Sequence, residues 1–279
     1  MIERGVKMLE IPESHVISKQ LNQTIKGKVI RNVSANSSPH GFAFYFGDPN
    51  NYHSILTGKV IEGAEAIAGQ IEMKAENARV LFGDGTNIRY FRADKEIPKR
   101  HQLHIEFEDF SSIVCTVQMY GGLYAFLDGE NDNPYYLVAK EKPSPLSDEF
   151  SEGYFHRLFQ EAKQTLSAKA FLATEQRIPG LGNGVLQDIL FTAKINPKSK
   201  LESLSKNKEE LYNSIKDTIQ KMTLQGGRDT EKDLFGFPGG YKTIMSNKTL
   251  INPCPVCGNT IVKQAYMGGN VYYCPNCQH

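Results

Sequence analysis

Cys254-Pro-Val-Cys257 and Cys274-Pro-Asn-Cys277 carry the most legible chemistry in this chain, with sixteen residues, Gly258 to Tyr273, between the two pairs. A Cys-x-x-Cys turn aims two thiolates at one centre. Two such turns supply four sulfurs, the closed tetrahedral set of a structural Zn²⁺ site. Two disulfides are the alternative that the spacing leaves open. A closed set has no free coordination position, so its metal builds structure and performs no reaction. A second stretch, Pro179-Gly-Leu-Gly-Asn183, runs directly into a helical pattern. Its glycines, Gly182 among them, let backbone N–H groups approach an anion closely, and the helix start adds partial positive charge. Asn183 can cap that helix or give its amide to a phosphate. A plain helix–helix connector with an Asn cap is the other reading of the same residues.

The elements that must position these groups follow from periodicity. Between the cysteine pairs, Ile261, Val262 and Tyr266 fall in one β-prone run and Val271, Tyr272 and Tyr273 in another. Gly268-Gly269 between them predicts a two-residue hairpin turn. No acidic residue follows Asp233, while Lys242, Lys248 and Lys263 remain. A small cationic hairpin suits a nucleic-acid backbone, and a solvated tail has the same charge signature.

The chain has 279 residues, enough for two modest domains and the finger. Its 40% hydrophobic and 23% charged content is that of a globular protein, and the net charge of +1 confines any nucleic-acid surface to a local patch. No apolar run has the length to span a bilayer, and no signal-peptide core opens the chain, so no membrane partner is expected. Five cysteines, four of them in the finger, point to a reducing interior, and hence to a cytoplasmic location. The fifth, Cys115, lies in an apolar β-prone run and is read as a core residue.

Taken in order, Pro12 fits a first helical turn, Ile17, Leu21 and Ile25 form one apolar stripe, and Gly27 ends the helix. From Lys28 to about Pro134 the pattern is mostly β, with a short helix near Asn50 to Leu56. Val80-Leu81-Phe82, Asp84-Gly85, then Ile88 and Tyr90 read as a hairpin with an Asp-Gly turn. Leu103, Ile105 and Phe107 alternate with polar residues as in a half-buried strand. Ile113–Met119 and Leu123–Leu127 read as a pair around Gly121-Gly122, with Met119 and Tyr120 either a wedge against an unstacked base or core side chains. Many short strands at this spacing predict a sandwich or barrel. Lys142-Pro-Ser-Pro145 is a linker, after which the period becomes helical. Ser147 is the expected cap of a helix carrying Phe155, Leu158 and Phe159. Further helices are expected over Ala168–Glu175, over Gly184–Thr192, and along Leu211, Ile215, Ile219 and Met222, the last ended by Gly226-Gly227.

Ser147-Asp-Glu-Phe, Lys169, Ile178-Pro-Gly-Leu-Gly-Asn183, Asn196-Pro197, Gly226-Gly227 and the Cys-Pro-Val-Cys-Gly finger together resemble the formamidopyrimidine-DNA glycosylase / endonuclease VIII family. The resemblance covers nearly the whole chain and is strongest from Ser147 to Cys277. It implies an α+β, multi-domain protein: an N-terminal helix and β-sandwich over 1–137, a helix–two-turns–helix DNA-binding domain over 146–239, and a zinc-finger β-hairpin over 240–279. Members of that family flip a damaged base, cut its glycosidic bond and nick the abasic site by β-elimination. The resemblance therefore implies a monomeric bacterial protein acting on damaged double-stranded DNA at the nucleoid. Lys169 and Asn183 would hold the phosphates flanking the lesion, and one Zn²⁺ would sit on Cys254, Cys257, Cys274 and Cys277.

The start of the chain departs from the family. Met8-Leu-Glu-Ile-Pro-Glu13 is similar to the family's Met-Pro-Glu-Leu-Pro-Glu, which places the essential acid on Glu10 and the second glutamate on Glu13. The proline whose freed amine attacks the sugar is replaced by Leu9. An amide nitrogen there is delocalised and cannot form a Schiff base. Initiation at Met8 would expose an amine one residue out of register. The family's β-hairpin lysine falls near Gly69-Gln70, and its finger arginine falls on Gly269, which offers a backbone N–H at most. Three expectations follow. The first is a glycosylase and abasic-site lyase working through a Glu10-activated water or the Met8 amine. The second is a catalytically silent relative that binds damaged DNA, and the third an unrelated zinc-ribbon protein, for instance an RNA-binding or scaffold module.

Overall fold

The computed structural model describes residues 9–279. Helix α1 (Ile11–Ile25) carries Pro12 in its first turn, and the chain leaves it through Gly27 at φ +82°. Its stripe divides between two cores. Ile17, Leu21 and Ile25 enter the β core, while Ile11 enters the helical one. Burying each such side chain stabilises by about 1.5–3 kcal/mol, so α1 is held from both sides.

Nine strands follow: β1 (Ile30–Ala35), β2 (Ala43–Tyr45), β3 (Ile61–Ile67), β4 (Gln70–Ala75), β5 (Ala78–Phe82), β6 (Thr86–Phe91), β7 (Leu103–Phe107), β8 (Ser112–Val117) and β9 (Gly121–Leu127). A short 3₁₀ turn and helix α2 (Tyr52–Leu56) sit between β2 and β3. One sheet runs β1-β7-β8-β6 and the other β2-β9-β5-β4-β3, and their facing sides form a single sandwich core containing the buried Cys115.

Two expected hairpins are absent. β5 pairs with β4 and β9, whereas β6 pairs with β8, so Gly83-Asp84-Gly85 carries the chain from one sheet to the other. β8 and β9 likewise belong to different sheets, and Gly121-Gly122 opens β9 instead of turning a hairpin. An Asp-Gly or Gly-Gly bend between two apolar runs serves a hairpin and a sheet-to-sheet corner equally well. Val80, Phe82, Ile88 and Leu123 all bury in the same core from facing sheets. Met119 and Tyr120 are 52% and 40% exposed, so neither is a core side chain.

Helix α3 (Pro134–Glu141), which the sequence pattern does not suggest, follows β9 and is capped by Asn133 Oδ1 on Tyr135 N at 2.9 Å. The helical module comprises α4 (Glu152–Glu161), α5 (Ala168–Ala173), α6 (Val185–Thr192) and α7 (Lys208–Leu224) around Phe155, Phe171, Leu186, Ile189 and Ile215. The cap of α4 is Ser151, whose Oγ accepts from Tyr154 N at 3.2 Å, and not the expected Ser147. The two leading residues Asp148 and Glu149 mimic a first turn, but the apolar stripe begins only at Phe155. Helix α5 stops at Ala173 because Glu175 and Gln176 take positive φ. The C-terminal hairpin is β10 (Val262–Tyr266) with β11 (Gly269–Tyr273). Its turn is Met267-Gly268, both at positive φ, one residue earlier than Gly268-Gly269. No helix among the described residues is long and apolar enough to cross a membrane.

The sheet-to-sheet corner gives a sharp test. Gly85 has φ +73°, and a Cβ there would lie 1.8 Å from Tyr120 O. Gly85→Ala is therefore expected to destabilise by more than about 4 kcal/mol. Gly129→Ala, at φ +85° with open space around it, should cost only about 1–2 kcal/mol. Urea denaturation of both variants checks the contrast.

Candidate nucleic-acid interface and catalytic cleft

Glu10 precedes α1 and is buried at the junction of the two cores. Its Oε1 accepts from Gly184 N at 2.8 Å and from Arg228 Nη1 at 3.2 Å. Its Oε2 accepts from Gly182 N at 3.1 Å and Val185 N at 2.8 Å. The carboxylate thus caps α6 from another domain, where the helix start favours a negative charge. Burial pushes the Glu10 pKa up, while Arg228 and the Val185 and Gly184 N–H groups oppose it. Every partner is a donor, so the shell matches the ionised form. Gly182 has to be glycine: a Cβ there would sit 2.6 Å from Glu10 Cδ.

This corrects two expectations. The N–H groups of the glycine-bent turn, Gly182 included, face the protein's own carboxylate and not an external anion. Both Glu10 oxygens also hold two donors each, which leaves little basicity for activating a water. The capping role open to Asn183 is likewise taken by Glu10, and the Asn183 side chain turns to the finger.

Glu13, one turn along α1, accepts from Arg228 N at 3.0 Å, Nε at 3.0 Å and Nη2 at 2.7 Å. Arg228 is fully buried; burial works against its charge, but Glu10 and Glu13 outweigh it and hold its pKa well above the ordinary guanidinium value. No signal in the sequence marks Arg228, since a lone arginine after Gly226-Gly227 looks like any solvated charge.

Helix α6 also fixes the finger. Gln187 Oε1 accepts from Tyr272 N at 3.0 Å, and its Nε2 donates to Asn270 O at 3.0 Å. The buried Asp188 carboxylate accepts from Ile244 N at 2.9 Å and Met245 N at 2.7 Å. Adjacent polar residues inside an otherwise apolar helix are the sequence signal that could have found this anchor.

The finger turn then meets the helical module. Lys169 on α5 donates to Tyr266 O at 2.6 Å, and burial lowers its pKa. Asn183 Nδ2 donates to Asn270 O at 3.1 Å, while its buried Oδ1 has no partner among the described residues. A Cβ placed on Gly269 would lie 3.5 Å from Asn183 Nδ2 and 3.6 Å from Lys169 Nζ. Lys169, Asn183 and Gly269 therefore form one polar lip. Lys263 lies apart on β10, with Nζ 3.3 Å from Asn247 Oδ1, and does not line the cleft. The four cysteine Sγ atoms lie within 4.8 Å of one another, with Cys254–Cys277 at 3.8 Å and Cys257–Cys274 at 3.5 Å, an arrangement that can hold a metal ion.

That lip overhangs a cleft of about 470 Å³ between the sandwich and the helical module. Leu9, Glu10, Gln70, Asp84 and Tyr120 line it from the sandwich side. Leu9 is buried and carries no free amine. The Met8 amine lies outside the described residues. Asp84, which in the sequence looks like a turn residue only, opens into the cleft. Its side chain is exposed to the cleft, but desolvation by the protein packed around it, with the Glu10 charge nearby, pushes its pKa up to about 7. Solvent reaches it through the cleft mouth, which limits that shift, and bound DNA would strengthen it.

Comparison with known proteins agrees with this geometry. Residues 142–233 match the family model of the formamidopyrimidine-DNA glycosylase H2TH domain. A formamidopyrimidine-DNA glycosylase of the Wolbachia of Brugia malayi is 27% identical over 281 residues, covering 98% of this chain and all of that one. One from Haemophilus influenzae is 36% identical over 162 residues, 55% of this chain and 58% of that one. The structure of the Lactococcus lactis Fpg in complex with abasic-site DNA superposes with a TM-score of 0.81 at 25% identity, covering 97% of this chain and 99% of that one.

Removing the guanidinium would strand two buried carboxylates. Arg228→Leu is expected to cost about 3–5 kcal/mol. Glu13→Gln, which keeps one acceptor for Arg228, should cost less. Guanidinium denaturation at neutral pH ranks the two variants, and equal costs would show that Arg228 is not the shared counter-ion.

Proposed function

This chain belongs to the formamidopyrimidine-DNA glycosylase / endonuclease VIII family, and from that premise we propose that it is a base-excision DNA-repair enzyme that grips damaged or abasic duplex DNA and releases the damaged base. The observation that carries the reading is the convergence of Lys169, Asn183 and Gly269 on one lip of the cleft whose floor holds Glu10. A lysine ammonium and an amide side by side suit phosphate oxygens on a sugar–phosphate backbone, and the Gly269 side adds room for close approach. Glu10 puts a fixed negative charge beside the cleft, where it stabilises positive charge developing on a deoxyribose as its base departs. Glu13 acts through Arg228 to hold Glu10 in place. Lys263 adds attraction from outside the cleft. The Fpg of Lactococcus lactis has been solved with abasic-site DNA and with an N7-benzyl-Fapy-dG-containing DNA, which fits a cleft of this kind.

The metal in this reading is one structural Zn²⁺ on Cys254, Cys257, Cys274 and Cys277. A tetrahedral ion with metal–sulfur bonds of about 2.3 Å separates its sulfurs by about 3.8 Å, close to the spacings of the two thiol pairs. Four free thiols suit a reducing bacterial cytoplasm, where the protein would act as a monomer. Strand cleavage by β-elimination needs an amine on the sugar. Leu9 nitrogen, an amide, does not supply one. That single replacement also favours a second reading, a relative that binds damaged DNA and leaves it intact.

The decisive experiment is incubation with duplexes carrying formamidopyrimidine, 8-oxoguanine or dihydrothymine, and with an abasic duplex, with and without borohydride. Base release from any of them is expected; tight binding with no release from every lesion would select the second reading. Affinity for a tetrahydrofuran abasic duplex should fall steeply with salt, and Lys169→Ala should reduce the slope of log K against log salt by about 0.9, one phosphate contact. Cys254→Ser should remove the bound zinc and weaken that affinity at least about tenfold, while circular dichroism and urea melting show the sandwich still folded. Unchanged affinity would remove the finger from the DNA-binding surface.

A further inference from the structure

The cleft contains a carboxyl group with no counterpart among the site residues that the family resemblance implies. Resting on the base-excision reading above, we propose that Asp84 is a catalytic residue, the proton acceptor for a water that attacks the sugar C1′, so that this chain cleaves the glycosidic bond by direct hydrolysis.

Three observations place the role there. First, among the described residues, the groups along the cleft best suited to attack the sugar or activate a water are engaged. Leu9 offers an amide nitrogen, and both Glu10 oxygens are taken by two donors each, so Glu10 supplies charge and not a free lone pair. Lys169 donates to Tyr266 O and keeps its other donors for a backbone phosphate, and Glu175 at the rim is paired with Arg177. Second, Asp84 is held at the cleft floor by a rigid corner. Thr86 Oγ1 donates to Gly83 O at 2.7 Å, and Gly85 packs its backbone against Tyr120. A Cβ on Gly69 would sit 3.0 Å from Leu9 O and 3.6 Å from Asp84 Oδ1, so the carboxyl stands beside the chain start that bears Glu10. Third, Asp84 makes no hydrogen bond or ion pair with any described residue, yet it opens into the cleft. A carboxylate carried on a fixed backbone corner, without a partner among the described residues and in reach of solvent, is suited to take a proton from a bound water.

The step balances within the cleft. The water oxygen bonds to C1′, and the C1′–N bond breaks with its electron pair leaving on the base. The water's proton passes to Asp84 and from there to the departed base. Glu10, fixed beside it, stabilises the oxocarbenium-like sugar between bond breaking and bond making. The groups facing Asp84 are Glu10 from the chain start, Tyr120 from the connection before β9 and Tyr124 on β9. The pKa values of both tyrosines are raised, away from neutrality. Among these groups Asp84 is the one whose pKa is pushed up toward neutrality, and as a base it works when ionised, so base release should rise with pH along a limb above the ordinary carboxylate range and no higher than about 7.

Single-turnover base release from a duplex carrying formamidopyrimidine, 8-oxoguanine or dihydrothymine, measured from pH 5 to 9, tests the assignment. Alongside it runs affinity for a tetrahydrofuran abasic duplex. Asp84→Asn and Asp84→Ser are expected to slow release by at least about a hundredfold, to abolish the acidic limb and to leave affinity for the abasic duplex unchanged. Asp84→Glu should restore part of the rate with a displaced limb. Borohydride should trap no adduct with the unmodified chain. Release by both variants at the original rate and pH profile overturns the proposal, as does an adduct from the unmodified chain. A loss of affinity proportional to the loss of rate in both variants would make Asp84 structural and overturn it equally. No release by the unmodified chain on any lesion would instead overturn the base-excision reading on which the proposal rests.

Discussion

Arg228, buried between Glu10 and Glu13, is the constraint on which the rest of the structure depends. Two carboxylates and a guanidinium in a dry interior are stable only as a hydrogen-bonded set, because each alone would face a desolvation cost of several kcal/mol. The set is complete here. Glu13 engages Nε, Nη2 and the backbone N–H of Arg228, and Glu10 engages Nη1. The remaining capacity of Glu10 goes to the first N–H groups of α6. The ionic set therefore also caps a helix, and it joins the start of the chain to the segment after α7. The sandwich and the helical module cannot move apart at this point without exposing charges that have no other partner.

From that anchor, α6 distributes position to the other parts of the cleft. Its N-terminus is held by Glu10, its middle by the Phe171, Leu186 and Ile189 core, and its polar face by the finger through Gln187 and Asp188. The hairpin that carries Gly269 is thus aligned to the same helix that carries Asn183 at its entry. Placing Lys169, Asn183 and the finger turn on one lip follows from one short helix bonded at both ends and along one side. Sites carried on such elements keep their geometry better than sites carried on free loops.

The cleft combines retained and altered chemistry. In the proposed reading the charged floor supplies electrostatic stabilisation and the lip supplies binding, with Gly269 standing where the family resemblance implies an arginine. The position of the attacking amine holds Leu9, a side chain buried in the sandwich core, and the lining offers Gln70 and Asp84 instead. An amide and a carboxyl direct water and protons; an amine forms covalent bonds with sugars. In the proposed reading the replacement therefore changes the class of step open to the protein without touching the lip residues.

The sequence by itself determined the local elements and the ligand chemistry. Four-residue apolar spacing specified α1 and α7, alternation specified β7, and the Cys-x-x-Cys spacing specified four converging sulfurs, because each signal is complete within a few residues. The resemblance of their motifs also singled out Glu10, Lys169 and Asn183, which the fold brings to one cleft. What the sequence left undecided was partnership across distance. Asp84-Gly85 and Gly121-Gly122 looked like hairpin turns, and the tertiary structure made them corners between sheets, since a bend does not encode which strand lies beside it. The hairpin turn moved by one residue, to Met267-Gly268. The N–H groups after Pro179 looked ready for a phosphate, and folding gave them to Glu10, 172 positions away for Gly182, with Arg228 completing the set. Short-range chemistry is written in residue types and spacing; the pairing of buried charges is decided only when the fold removes water from both partners at once.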